Sequence, residues 1–208
     1  IFFRRVCFIG KHATQQMVLK IMRLLKTSAR GHSRRKSASD EPPEGAEPFC
    51  VARVQGAPHA RICQIQVDSF MDGEALLGSL DGVFATQVGS TIGVPHTVRV
   101  IYDSKKTNPT DLSVQSGFKV VDVDGTRPFR LGPPDQQKYY LQQTPLVKWV
   151  TELPKGGKVG DSALFATRLN AYCNGYGSEG DIQRDCVYLS EEYCTFLLDV
   201  WKEKHREQ

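Results

Sequence analysis

No aspartate or glutamate occurs in the first 36 residues of this 208-residue chain. That stretch holds ten basic side chains instead, so the remaining residues carry 17 basic against 23 acidic groups, a net charge of −6. Other absences narrow the function classes. No apolar run approaches the roughly 18–20 residues needed to cross a bilayer, which excludes a transmembrane segment. There is no C-x-x-C and no tight grouping of cysteine with the five histidines, which argues against zinc. Neither G-x-G-x-x-G nor G-x-x-x-x-G-K-[ST] occurs, so no nucleotide loop announces itself. G-x-S-x-G is missing too, although a triad assembles by geometry rather than by order along the chain. Without an internal repeat, solenoids and propellers are excluded. The sequence therefore implies no metal and no cofactor.

What is present suits an ordinary folded domain. Hydrophobic residues make up 40% and charged residues 24% of the chain, values usual for globular proteins. The length is enough for one domain, 1–208, to bury a core. The opening Ile1-Phe2-Phe3 followed by Val6-Cys7-Phe8-Ile9 resembles a core strand already under way, so the expectation is a fragment of a larger protein. The six cysteines (Cys7, Cys50, Cys63, Cys173, Cys186, Cys194) lie mostly within apolar patterns, which favours free buried thiols, a reducing compartment and a cytoplasmic location.

Hydrophobic periodicity predicts a strand over 2–9, a helix over 12–29, and strands over 49–54, 60–68, 97–102 and 118–123. In the segment 60–68, Cys63, Ile65 and Val67 alternate with Gln64 and Gln66, predicting one buried and one wetted face. A short helix is expected over 72–80. From residue 133 the pattern turns helical. Thr144-Pro145 starts one helix and Asp161 or Ser162 caps a second carrying Leu164, Phe165, Leu169 and Tyr172. Ser190 caps a last amphipathic helix whose stripe is Tyr193, Phe196, Leu197, Val200 and Trp201. The predicted class is α+β: a mixed sheet of five or six strands packed with helices, with a three-layer α/β arrangement as the alternative.

Residues 30–48 lack periodic hydrophobics and are rich in Gly, Ser, Pro and charge, as a flexible surface loop is. Within it Ser37 follows Arg34-Arg35-Lys36 and Ser39 precedes Asp40-Glu41, which marks both serines as phosphorylation candidates. A phosphate at Ser37 would place about −1.5 to −2 charges beside those cations. Lys20, Arg23, Lys26, Arg30, Arg34, Arg35 and Lys36 together form a candidate surface for an acidic protein partner or anionic lipid headgroups. Nucleic acid fits less well, since aromatics do not interleave with these cations and the rest of the chain is acidic.

Three further patterns carry candidate chemistry. Gly10-Lys11-His12 joins a predicted strand to a predicted helix, where α/β proteins bind phosphate. Gly156, Gly157 and Lys158 sit in a glycine- and lysine-rich stretch leading into a helix, a composition suited to an anion nest. Asp122 and Asp124 share one face at a strand end, as two oxygen ligands of a divalent cation would, or as an Asp-Gly turn would place them. The leading expectation is a non-catalytic regulatory or scaffolding domain of an intracellular signalling or trafficking protein, binding another protein and modulated by phosphorylation of the 30–48 loop. The alternative is an α/β enzyme acting on a phosphorylated small molecule or nucleotide.

Overall fold

The computed structural model of the chain describes residues 58–152 and 162–207. The predicted strands 2–9 and 49–54, the predicted basic helix, the predicted 30–48 loop and the glycine- and lysine-rich stretch with Gly156, Gly157 and Lys158 lie outside the described residues. So do Cys7 and Cys50.

The described chain begins with β1 (Ala60–Gln66), α1 (Phe70–Ser79), β2 (Val83–Thr91), β3 (Val94–Asp103), α2 (Pro109–Ser116), β4 (Lys119–Asp122) and β5 (Phe129–Leu131). These strands form one sheet in the order β4-β1-β3-β2-β5, with every pairing antiparallel. Because β1 and β2 are both antiparallel to β3, they run parallel to each other with β3 between them. The first six elements thus follow the split β-α-β arrangement of ferredoxin-like folds, a topology that many unrelated functions share. The α+β class expected from the sequence is the class of the fold, with antiparallel pairing throughout where a mixed sheet was allowed for.

One sheet face is apolar because alternation puts Cys63, Ile65, Val98, Val100 and Tyr102 on the same side, under Leu77 of α1 and Leu112 of α2. The opposite face is less apolar and is wet only in part, which corrects the expectation for β1 at Gln64. Gln66 is exposed, whereas Gln64 is fully buried and donates to Asp122 Oδ2 at 2.9 Å and to the Arg127 carbonyl at 2.8 Å. A returning loop covers this part of the face, so the Gln64 amide nitrogen donates to protein instead of water.

After a 3₁₀ turn at Pro134–Gln136 the chain is helical: α3 (Tyr139–Gln142), α4 (Leu146–Glu152), α5 (Ser162–Cys173), α6 (Glu179–Cys186) and α7 (Glu191–His205). Their stripes meet in a second core containing Leu141, Leu146, Val150, Phe165, Leu169, Tyr172, Ile182, Leu197 and Trp201. Ser190 caps α7 as expected, its Oγ accepting from Tyr193 N at 3.4 Å. At the far end of α7, His205 stacks on Trp201 at 4.7 Å and its Nδ1 lies 3.0 Å from the Gly175 carbonyl. Cys186 and Cys194 are joined in a disulfide linking the end of α6 to the start of α7, which corrects the expectation of free thiols at these positions. The turn between the helices is short enough to bring their Cα atoms to 5.3 Å. Cys63 and Cys173 are free and buried, as expected. No helix of the described residues is long and apolar enough to cross a membrane.

Candidate functional site

The site is built around the end of α1. Gly78 packs there so closely on α5 that a Cβ would fall 2.8 Å from Thr167 Cγ2, which only glycine permits. The chain then turns into β2 through Asp81-Gly82. Gly82 has φ +80°, and a Cβ on it would meet Lys106 Cβ at 2.9 Å. This turn, Lys106, and the sides of α5 and α6 enclose a cleft of about 610 Å³ lined by Leu80, Asp81, Val83, Phe84, Lys106, Leu164, Arg168, Tyr172, Asp181 and Arg184 among others.

Arg168 is the best-anchored cation of the cleft, with a side chain 24% exposed. Its Nε lies 2.9 Å from Asp185 Oδ2 and 3.2 Å from Tyr172 Oη, and Tyr172 Oη in turn donates to Asp185 Oδ2 at 2.8 Å. Burial pushes the Tyr172 hydroxyl well above its ordinary range, and the Asp185 charge adds to this, so the phenol stays a donor. Burial also raises the Asp185 carboxyl, against the Tyr172 hydrogen bond and the Arg168 and Arg184 charges that pull it down. Among the described residues, no acceptor meets either terminal Nη group of Arg168. The other two cations are more exposed: Arg184 Nη2 lies 2.5 Å from Asp181 Oδ1, and Lys106 Nζ lies 3.4 Å from Asp81 Oδ1. Asp181 is also committed to its own helix, because Ser178 and Asp181 form the capping box of α6.

Two other polar clusters lie close by. At the start of α1, Ser69 Oγ accepts from Asp72 N at 3.4 Å, while the exposed Asp72 carboxylate accepts from Tyr140 Oη and, at 3.3 Å, from Asn174 Nδ2. Burial would raise the Asp72 carboxyl, but hydrogen bonds from Tyr140, Ser69 and Asn174 outweigh it and hold the group below 3.8. Burial and the Asp72 charge also raise the Tyr176 hydroxyl. Deeper in, Glu74 (0% exposed) and Lys138 (2%) form a buried ion pair at 2.6 Å. Lys138 Nζ also donates to the Thr86 carbonyl at 2.6 Å and to Thr86 Oγ1 at 3.0 Å, and Lys138 N donates to Glu74 Oε2 at 2.6 Å. Lys138 holds this position with a left-handed φ of 52°. Among the described residues the partners of this pair lie on α1, on β2 and at the entry to α3, which ties these elements together.

No family model matches this chain, and no curated protein matches it either. The site must therefore be read from its own residues.

None of the basic-surface residues from Lys20 to Lys36, the serines Ser37 and Ser39, or the phosphate candidates Gly10, Lys11, His12, Gly156, Gly157 and Lys158 falls within the described residues. Asp122 and Asp124 do, and they serve a turn. Asp122 Oδ2 accepts from Gln64 Nε2 and from Arg127 N at 2.8 Å, and Asp124 Oδ1 accepts from Thr126 N at 3.2 Å and from Thr126 Oγ1 at 2.7 Å, with Gly125 at φ +69°. No group of three or more His, Cys, Asp or Glu that could hold a metal occurs among the described residues. Arg168, Asp185 and Lys138 escaped the sequence reading. The available signal was Arg168, the single charged residue of the helix Ser162–Cys173, whose partly buried charge needs a partner.

Proposed function

We propose that this chain is a non-catalytic regulatory domain that holds a small ligand in the cleft beside α1 and contacts an acidic protein or anionic lipid surface through its basic leader. The observation that carries the reading is Arg168, a guanidinium oriented from behind by Asp185 and Tyr172 whose outer donors meet no acceptor among the described residues, in a concave, partly apolar site. Among the described residues, the free thiols and the buried ion pair point the same way. Burial pushes the thiol of Cys63 up to about 12, with the Asp122 charge adding to it, and burial does the same to Cys173. Buried thiols of this kind are inert. Glu74 and Lys138 are occupied with each other. The charge asymmetry of the sequence supplies the second contact, with Ser37 and Ser39 placed to modulate it.

The test is a pull-down from cell lysate together with flotation on anionic vesicles. The intact chain is compared with Ser37→Glu and with a variant neutral at Arg34, Arg35 and Lys36. Capture by the intact chain and loss in both variants is the expected result. Equal capture by all three, or by none, overturns the role given to the leader.

A further inference from the structure

We infer that the ligand of the cleft is a small organic molecule bearing one carboxylate on an apolar body, an inference that rests on the reading of this cleft as a ligand site.

Arg168 determines the head group. Its Nε edge is taken by Asp185 and Tyr172, which orient the guanidinium plane. The two Nη groups, which meet no acceptor among the described residues, offer parallel N–H donors that a single carboxylate accepts with both oxygens. Lys106 Nζ, held only loosely by Asp81 at 3.4 Å, can supply a further donor.

Charge counting weighs against a dianion. Among the described residues, Lys106, Arg168 and Arg184 face Asp81 and Asp181, so the lining carries one net positive charge, which the Asp185 carboxylate behind Arg168 cancels. A phosphate monoester, at about −1.5 to −2, would leave negative charge uncompensated beside two aspartates.

The body of the ligand follows from the remaining wall. Leu80, Val83, Phe84 and Leu164 line the cleft beside the charged groups. Its volume, about 610 Å³, is that of a site for a small molecule.

The experiment titrates the full chain with 3-phenylpropionate, 3-phenylpropionamide, phenethylamine and phenyl phosphate, following backbone NMR signals of Gly78, Gly82 and Lys106. We expect saturable shifts with the carboxylate and affinities weaker by about tenfold or more for the other three, the difference one good charged contact makes. Arg168→Lys should weaken 3-phenylpropionate by about tenfold, since lysine keeps the charge opposite Asp185 but not the fork. Lys106→Gln, at an exposed position, should weaken it by about two- to fivefold without touching the fold. Phenyl phosphate or phenethylamine binding more tightly than the carboxylate would overturn the ligand class while leaving the cleft a ligand site. The amide binding equally well would do the same. Absence of cleft shifts with all four probes would overturn both the inference and the reading beneath it.

Discussion

The sheet half of the protein, from β1 to β5, and the helical half, from α3 to α7, are held together by different means. In the sheet half and at its junction with α3, the ties reach far along the chain. Gln64 bonds Asp122 across 58 residues, Lys138 bonds Glu74 across 64, and the Gln137 side chain pairs with both N–H and C=O of Val88 across 49. In the helical half the polar ties reach less far: the caps Ser178 with Asp181 and Ser190 with Tyr193 span three residues, the disulfide eight, Tyr172 to Asp185 thirteen and His205 to Gly175 thirty. A helix satisfies its own backbone except at its ends, so local caps suffice. A sheet with a partial edge leaves strand groups that only a distant segment can reach, and β5, three residues long, covers only part of β2.

The strongest way to break this contrast is at the buried pair. Lys138→Met leaves the Glu74 carboxylate buried without its partner, and should cost about 3–5 kcal/mol in a denaturant melt. A double variant with Glu74→Leu as well should recover much of that loss, since the polar tie is replaced by an apolar one. A double variant as unstable as the single one would show that the tie fixes the fold by more than charge compensation.

The helical half offers the next largest effect. Replacing Cys186 and Cys194 by serine opens a link spanning eight residues, which by loop-closure entropy should cost about 2.5 kcal/mol. Because the link is local, Trp201 fluorescence should still report a folded helical core. Loss of that signal at room temperature would mean that the α6–α7 packing depends on the crosslink.

The smallest expected effect is a pH dependence. The folded Asp72 carboxyl lies below 3.8, so its stabilisation is present above that value and is lost as pH falls through the lower folded one. Asp185 has the opposite sign: its carboxyl is raised, so its contribution is present below 3.8 and is lost as pH rises through the folded value. Asp72→Asn should therefore flatten the fall of Tm on acidification below 3.8 while leaving the neutral-pH limb in place. An unchanged acid limb would show that the Tyr140 and Asn174 bonds to Asp72 contribute no net stability.

The same contrast explains what was legible in the sequence. The helices α5 and α7, the start of α4, and the strands β1, β3 and β4 carry their own periodicity and caps, and they lie where expected. β2 and α2 were not read. β2 is buried along most of its length and interrupted by Gly89, so its residues Val83–Thr91 show no clean alternation. The helix α2, Pro109–Ser116, has a single buried residue, Leu112, and hence no stripe to detect. The α6 capping box was also overlooked, although Ser178 and Asp181 stand at the usual spacing for it.

Taken by itself, the sequence determined the α+β class, the helical end of the chain and the uneven charge, because periodicity, capping residues and composition act over a few neighbours. Tertiary structure alone decided the candidate site. Arg168, Asp185, Asp81 and Lys106 acquire a common purpose only when strand order and helix packing set them around one cleft. Likewise, Glu74 and Lys138 become a pair only because burial makes each of them costly without the other.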